Sequence, residues 1–306
     1  MNTVNGWRVK IRAEALRCAS RLHLALILLI LGLPSGTHAF RPILKENKGE
    51  QILEKQRSLH GVDSEVSELR LASIDSKGNV LAREFISAFA RAGSQVNGLI
   101  IFTKPETIRG AILLARHDPA ENESSEPNAW MYLPALNTIR EVDQNMPGQK
   151  QFFGSEFTWD DIMLESMTPQ RSKWIKSTHF QDEPAELIEL TPSRGPSYLR
   201  DRRELYIHSK EFNTLRVDVF SRSSELTKTL TAYDYGSPDI DGSSKRPHRL
   251  VAQNISSLET SVLTLIKARQ NIEMPADTFD IQSLANLSKV EDPFRYLTEG
   301  NKEGEK

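Results

Sequence analysis

Apolar and polar residues alternate over short runs along most of the chain, the two-residue period of half-buried strands. Residues 66–74 make a first run. The cluster Asp75-Ser76-Lys77-Gly78-Asn79 follows as a turn, with Gly78 available for positive φ. Residues 80–90 (VLAREFISAFA) come next, with Leu81, Phe85 and Phe89 on one pleat face. Together they predict a hairpin. Further strands are expected at 98–104 and 109–117, separated by Pro105, and at 129–134 and 138–143. A third group falls at 173–180, 185–191, 198–208, 214–220, 226–235, 249–257 and 261–268. In 214–220, Leu215, Val217 and Val219 sit opposite Arg216, Asp218 and Phe220.

Helical spacing is rare. Residues 40–60 place Ile52, Leu53 and Leu59 on one face, with Glu and Lys on the other. Residues 159–167 predict a short helix with Thr158 as N-cap and Asp160 and Asp161 in its first turn. Polar stretches 118–128 and 236–247 read as loops, and 291–306 as a polar tail that frays. About twelve antiparallel strands with few helices predict one barrel-like or strongly curved sheet. No internal repeat is visible, and the strand–helix alternation of a parallel α/β enzyme is missing.

The first 39 residues read as a cleaved export signal. Arg8, Lys10, Arg12, Arg17 and Arg21 precede an apolar run, Leu22 to Leu33. Pro34 and Gly36 then break the helix, and Ala39 offers a cleavage point. The run falls well short of the roughly 20 residues that span a bilayer. Cys18, the one cysteine, precedes the apolar run, so it is not a lipid anchor, and the exported chain would hold no disulfide. Losing five basic residues and Glu14 moves the formal net charge from −2 to −6. That argues against nucleic acid as a partner and for a soluble periplasmic protein.

Catalytic signatures are scarce. His60, His117, His179, His208 and His248 are not spaced for zinc, no G-x-S-x-G elbow occurs, and Gly148 and Gly154 stand alone rather than in a phosphate loop. No cofactor or metal is implied. The most enzyme-like group is Ser155-Glu156 with Asp160 and Asp161. Paired acids can do acid–base work or hold a divalent cation, but no nucleophile or ligand set accompanies them, so capping of the helix is favoured. Lys245, Arg246 and Arg249 form a small basic cluster that reads as solvated.

The remaining signal is aromatic and apolar. If the strands pair in order, Phe85, Phe89, Ile100, Phe102, Ile112, Leu114, Trp130 and Tyr132 line one face of the sheet. That face is either filled by its own side chains or left as a cavity. The densest segment is 129–163, AWMYLPALNTIREVDQNMPGQKQFFGSEFTWDDIM. Its Phe152, Phe153, Phe157 and Trp159 are expected to pack a strand-to-helix corner. Gly154 is expected either in a conformation costly for other residues or close to another backbone.

This segment resembles the signature of the LolA-like outer membrane lipoprotein-sorting proteins, in a divergent periplasmic branch that accompanies RND-type exporters. Trp130, Tyr132, Leu133, Pro134, Ala135 and Leu136 match one run, and Phe152, Gly154, Ser155, Phe157 and Asp161 the other. Arg140-Glu141 stands where two arginines are usual, and Glu156 where Asp is usual. The resemblance implies an unclosed antiparallel barrel of about eleven to twelve strands with a small helical lid. Residues 40–290 would form the carrier domain.

The resemblance also implies a non-catalytic carrier that holds an acyl chain of a lipid or lipoprotein and passes it toward the outer membrane. Phe85, Phe89, Phe102, Leu114, Trp130 and Tyr132 would line the apolar cavity. Helix 40–60 is the candidate cover, with Arg140 as its contact. An inner-membrane RND-type or lipoprotein-releasing transporter is the implied partner. Two other classes stay open: a structural partner of an exporter, and a hydrolase acting through Glu156, Asp160 or Asp161.

Overall fold

The computed structural model describes residues 47–118, 128–142, 151–162, 170–192, 201–236, 240–242 and 244–300. The expected export signal 1–39, most of the acidic loop 118–128, residues 163–167 of the second helix and the last six residues lie outside the described residues. Of Trp159 and Asp160 only the backbone is described.

The chain opens with α1 (Lys48–His60), started by Asn47, whose side chain accepts from the Gly49 amide. The strands then run β1 (Ser64–Ile74), β2 (Val80–Ala92), β3 (Gln95–Lys104), β4 (Ile112–His117), β5 (Asn128–Leu133) and β6 (Thr138–Glu141). A short helix α2 (Trp159–Ile162) precedes β7 (Gln170–Phe180), β8 (Glu183–Pro192), β9 (Arg202–His208), β10 (Thr214–Phe220) and β11 (Leu226–Tyr235). After β12 (Ile240–Asp241), β13 (Pro247–Asn254) and β14 (Thr260–Gln270) come α3 (Leu284–Leu287) and α4 (Pro293–Glu299).

All strands belong to one sheet ordered β6-β5-β4-β3-β2-β1-β14-β13-β11-β10-β9-β8-β7, with β12 attached to β14. Pairing along this path is antiparallel, and β6 and β7 at its two ends do not pair, so the sheet is unclosed. It has 14 strands, more than the eleven or twelve expected. β12 accounts for part of the excess: two residues in a Gly/Ser/Pro-rich stretch leave no alternation to read.

Directly paired residues project to the same side of a sheet, so the register sorts two faces. The inner face carries Leu69, Leu71, Phe85, Phe89, Ile100, Phe102 and Leu113, continuing through Leu263, Leu265 and Leu230. At its far end, Ile52 of α1 packs on Ile188, Leu205 and Ile207. The outer face of β1–β5 carries Val66, Ile86, Leu99, Ile101, Ile112, Leu114 and Tyr132. Leu284 and Leu287 of α3 and Phe294 and Leu297 of α4 cover it.

Two expectations change. Residues 291–306 are not simply a polar tail, because α4 lies there with Asp292 capping the Arg295 amide at 3.0 Å and Leu297 fully buried. Its three buried residues, Pro293, Phe294 and Leu297, are too few to show a helical period. In α1, Ile52 is buried but Leu59 is 42 % exposed, so the apolar face is shorter than its spacing suggested.

Candidate functional site

A cavity of about 1310 Å³ lies between α1 and the inner face. Its floor owes its depth to two small residues. Ser67 on β1 and Ser87 on β2 are direct partners, whereas the neighbouring pairs Glu65–Phe89 and Leu69–Phe85 are bulky. Leu205, Val217, Leu230, Leu250, Leu263 and Leu265 supply an apolar wall. His117 lines the opposite side, 4 % exposed, with Nδ1 unpartnered. Burial lowers its pKa, partly offset by Asp118, so the ring is neutral at pH 7.

One end of the cavity is polar and tightly bonded. Arg246 Nε donates to Glu65 Oε2 at 3.0 Å, and Gln270 Nε2 donates to the same oxygen at 3.0 Å. Ser67 Oγ donates to Glu65 Oε1 at 2.6 Å. Glu65 is 2 % exposed, so this pairing is what makes a carboxylate tolerable there. Arg246 Nη1 also reaches the His60 carbonyl at 2.9 Å, and Ser244 Oγ donates to the same carbonyl. These bonds occupy the carbonyl of the last residue of α1. Elsewhere along the helix, Gln56 Nε2 donates to the Phe212 carbonyl at 2.8 Å, and Asn47 Nδ2 donates to the Ser172 carbonyl. α1 is therefore a strap fixed at both ends, with mostly polar fastenings.

The other end of the inner face is filled. Phe152 lies 5.5 Å from Phe85 and 6.1 Å from Phe102, and Phe153 lies 4.5 Å from Phe102, ring centre to ring centre. Phe152 and Phe157 are fully buried. The turn that aims them uses two left-handed residues, Phe153 at φ +49° and Gly154 at φ +69°. A Cβ on Gly154 would meet nothing within 4 Å, so backbone conformation, not space, demands glycine there.

The acids of this segment are committed to structure. Asp161 Oδ2 accepts from Lys228 Nζ at 2.7 Å and from the Thr158 amide at 2.8 Å, and Arg203 Nη1 lies 3.5 Å from Oδ1. Burial pushes the Asp161 pKa up, but Lys228 and Arg203 outweigh it and hold the group below the usual carboxylate value. Lys228 Nζ also donates to the Glu156 carbonyl at 3.0 Å. The Glu156 carboxylate accepts from Asn254 at 3.2 Å and Gln151 at 3.4 Å. Burial, reinforced by nearby Glu259, raises its pKa. Among the described residues no three His, Cys, Asp or Glu side chains converge as metal ligands.

The six residues expected to line one cavity are split in three ways. Phe89 lines the cavity. Phe85 and Phe102 share its face but are packed against Phe152 and Phe153. Leu114, Trp130 and Tyr132 lie on the outer face with the C-terminal helices. The cause is register: Leu114 pairs with Leu99 and Trp130, while Leu113 pairs with Ile100, so a one-residue offset reverses the side. Arg140 is exposed on β6, and the guanidinium bonded to α1 belongs to Arg246. That corrects two expectations, Arg140 as the contact of the cover and Arg246 as a solvated loop charge. A loop arginine offers no periodicity to reveal burial, and its partner Glu65 lies 181 positions away.

A family model described as uncharacterized protein matches residues 94–286. No curated protein matches the sequence. Among solved structures, an outer membrane lipoprotein-sorting protein domain from Vibrio parahaemolyticus is 19% identical, with TM-score 0.68, over 78% of this chain and 98% of that one. A DUF1329 family protein from Desulfovibrio piger is 18% identical, with TM-score 0.68 and the same coverage. A LolA superfamily protein from Nitrosomonas europaea is 17% identical, with TM-score 0.60, over 76% of this chain and 98% of that one. The fold is LolA-like.

Proposed function

We propose, for a chain that belongs to the uncharacterized-protein family matched over residues 94–286, that it carries an acyl chain of a lipid or lipoprotein toward the outer membrane. The cavity under α1 supports this reading most strongly. Its 1310 Å³ exceeds the roughly 300–1,000 Å³ of pockets for drug-sized ligands. Its apolar wall suits methylenes, each contributing about 0.8 kcal/mol on burial. A ten-carbon stretch gives roughly 8 kcal/mol before ordering costs, an affinity that still permits release. A lipoprotein-sorting domain shares the fold.

In this reading the carrier domain runs from residue 40 through α4, and loss of 1–39 delivers it to the periplasm. α1 is the cover, with the Arg246–His60 bond as its fastening. An RND-type or lipoprotein-releasing transporter of the inner membrane is the donor. The protein performs no chemistry. Asp161 is held by two cations and Glu156 is buried against Asn254, which supports a structural use of these two acids over a hydrolytic one.

Displacement of a fluorescent fatty acid tests the proposal. Saturable binding is expected. Ser87→Phe, which fills the floor, is expected to weaken it at least about tenfold, while Trp130→Phe on the outer face leaves it unchanged. No saturable binding, together with no lipid in extracts of gently purified protein, removes the carrier reading and leaves that of a structural partner.

A further inference from the structure

His117 is a buried polar group that the fold itself does not use. It is 4 % exposed, it lines the cavity, and its Nδ1 is buried without a hydrogen-bond partner. Register puts it at the rim. It ends β4 and pairs with Val96, which pairs with Arg91. Phe89 and Val96 carry the apolar wall up to the ring. Arg91 and Ser94, which also line the cavity, are exposed. The ring thus stands where the apolar interior meets the mouth. Packing does not account for an imidazole there. Leu113 and Ala115, on the same face of β4, are apolar and buried, and a third apolar side chain would fill the position without stranding a ring nitrogen.

The charges around the cavity narrow what the ring can take. Four cations on the wall are already paired: Arg203 with Asp161, Arg216 with Asp218, Lys245 with Glu211 and Arg246 with Glu65. Burial keeps His117 itself uncharged at pH 7. A carboxylate beside the ring would therefore meet a neutral imidazole and the negative charge of Asp118. Ser172 Oγ and Asn213 Oδ1, on other parts of the wall, are likewise buried and unpartnered. Pure hydrocarbon would leave all three atoms unsatisfied, at a cost for each.

We propose that His117 hydrogen-bonds a neutral ester or hydroxyl group of the cargo, so that the cavity prefers acyl chains carried as esters to free fatty acids. This inference rests on the carrier reading and adds the class of head group to it. The chemistry suits both tautomers of the ring: a protonated Nδ1 donates to an ester carbonyl, and an unprotonated one accepts from a hydroxyl. The chain runs inward from the rim along Phe89 toward the Ser67–Ser87 floor. A free fatty acid still binds through its chain, but its carboxylate gains nothing from the ring.

Displacement of Nile red, an uncharged dye, from the exported protein tests this with ligands of one chain length: monolauroylglycerol, laurate at a pH of about 8, where it is ionised, and dodecane. Monolauroylglycerol is expected to bind at least about fivefold more tightly than laurate. His117→Leu is expected to abolish that preference, weakening monolauroylglycerol about fivefold and leaving dodecane unchanged. His117→Gln, which keeps a hydrogen-bonding group, is expected to restore part of it. The ring-nitrogen NMR signals of His117 are expected to move with monolauroylglycerol and to stay with dodecane. If no ligand binds, the carrier reading falls and this inference with it. If all bind without head-group preference, or the preference survives His117→Leu, the head-group inference alone falls. Should His117→Leu fail to fold, a ring signal in the wild type that monolauroylglycerol does not move overturns the inference.

Discussion

Lys228 Nζ lies 2.7 Å from Asp161 Oδ2, and this contact ties α2 to β11 across the inner face. Both side chains are largely buried, at 12 % and 2 % exposure. The contact makes Asp161 much more than a charge at a helix start.

Asp161→Asn is therefore expected to cost about 3 kcal/mol, because it leaves Lys228 and Arg203 without their shared anion. A dipole contribution alone would be roughly 0.3–1 kcal/mol. The folded pKa is depressed, so the stabilisation is present above the unfolded value near 3.8 and is lost as pH falls through the folded value. Urea unfolding at neutral pH and at pH near 3 checks both points: the variant should show a weaker acid limb than wild type.

Glu156 runs the other way. Its folded pKa is raised, so its contribution is fully present below the unfolded value of 4.5 and is lost as pH rises through the folded pKa. Glu156→Gln should thus raise the thermal midpoint at pH 7, shrinking the gain toward pH 4. Glu259 is left without a like-charged neighbour, which adds to the gain. A lower midpoint at pH 7 would show that the carboxylate's bonds to Asn254 and Gln151 outweigh its burial.

Arg246→Ala removes both the counter-charge of Glu65 and a donor to the last carbonyl of α1. The expected loss is about 3–5 kcal/mol, the range for a buried pair stripped of one member. Glu65→Gln with Arg246→Met should recover part of it. Hydrogen exchange should quicken in α1 before it quickens in β2 and β3, which places the effect on the strap rather than on the whole fold.

Leu297→Ala should cost about 2–5 kcal/mol, since the side chain is fully buried on the outer face. Removal of residues 293–306 should cost more than any single one of these substitutions. Differential scanning calorimetry of the truncated chain is the check, and unchanged stability would return the segment to a polar tail.

The strands were legible because alternation is local: 214–220 and 226–235 can be read from their own residues. The aromatic corner was legible too, since Phe152 and Phe157 are large and close in sequence. Which face each strand turned inward was not. A bulge between Glu84 and Phe85, and the register that sets Leu113 rather than Leu114 beside Ile100, are properties of pairing. The polar end of the site was hidden for a similar reason. Glu65, Arg246 and Gln270 come from three distant segments, and each one alone looks like a surface residue.

The two halves of the sheet are not equally walled. From β1 to β4 both faces are covered, and seven of the ten residues of β3, the run from Val96 to Phe102, are buried. β7 has no buried position, and β10 only two, Val219 and Asp218. One half is thus a rigid anvil and the other a compliant leaf. A container built this way can change its volume by flexing the leaf while the anvil keeps its shape. Amide protection should therefore fall from β3 toward β7, giving a gradient of elasticity along the order of the strands rather than a single hinge.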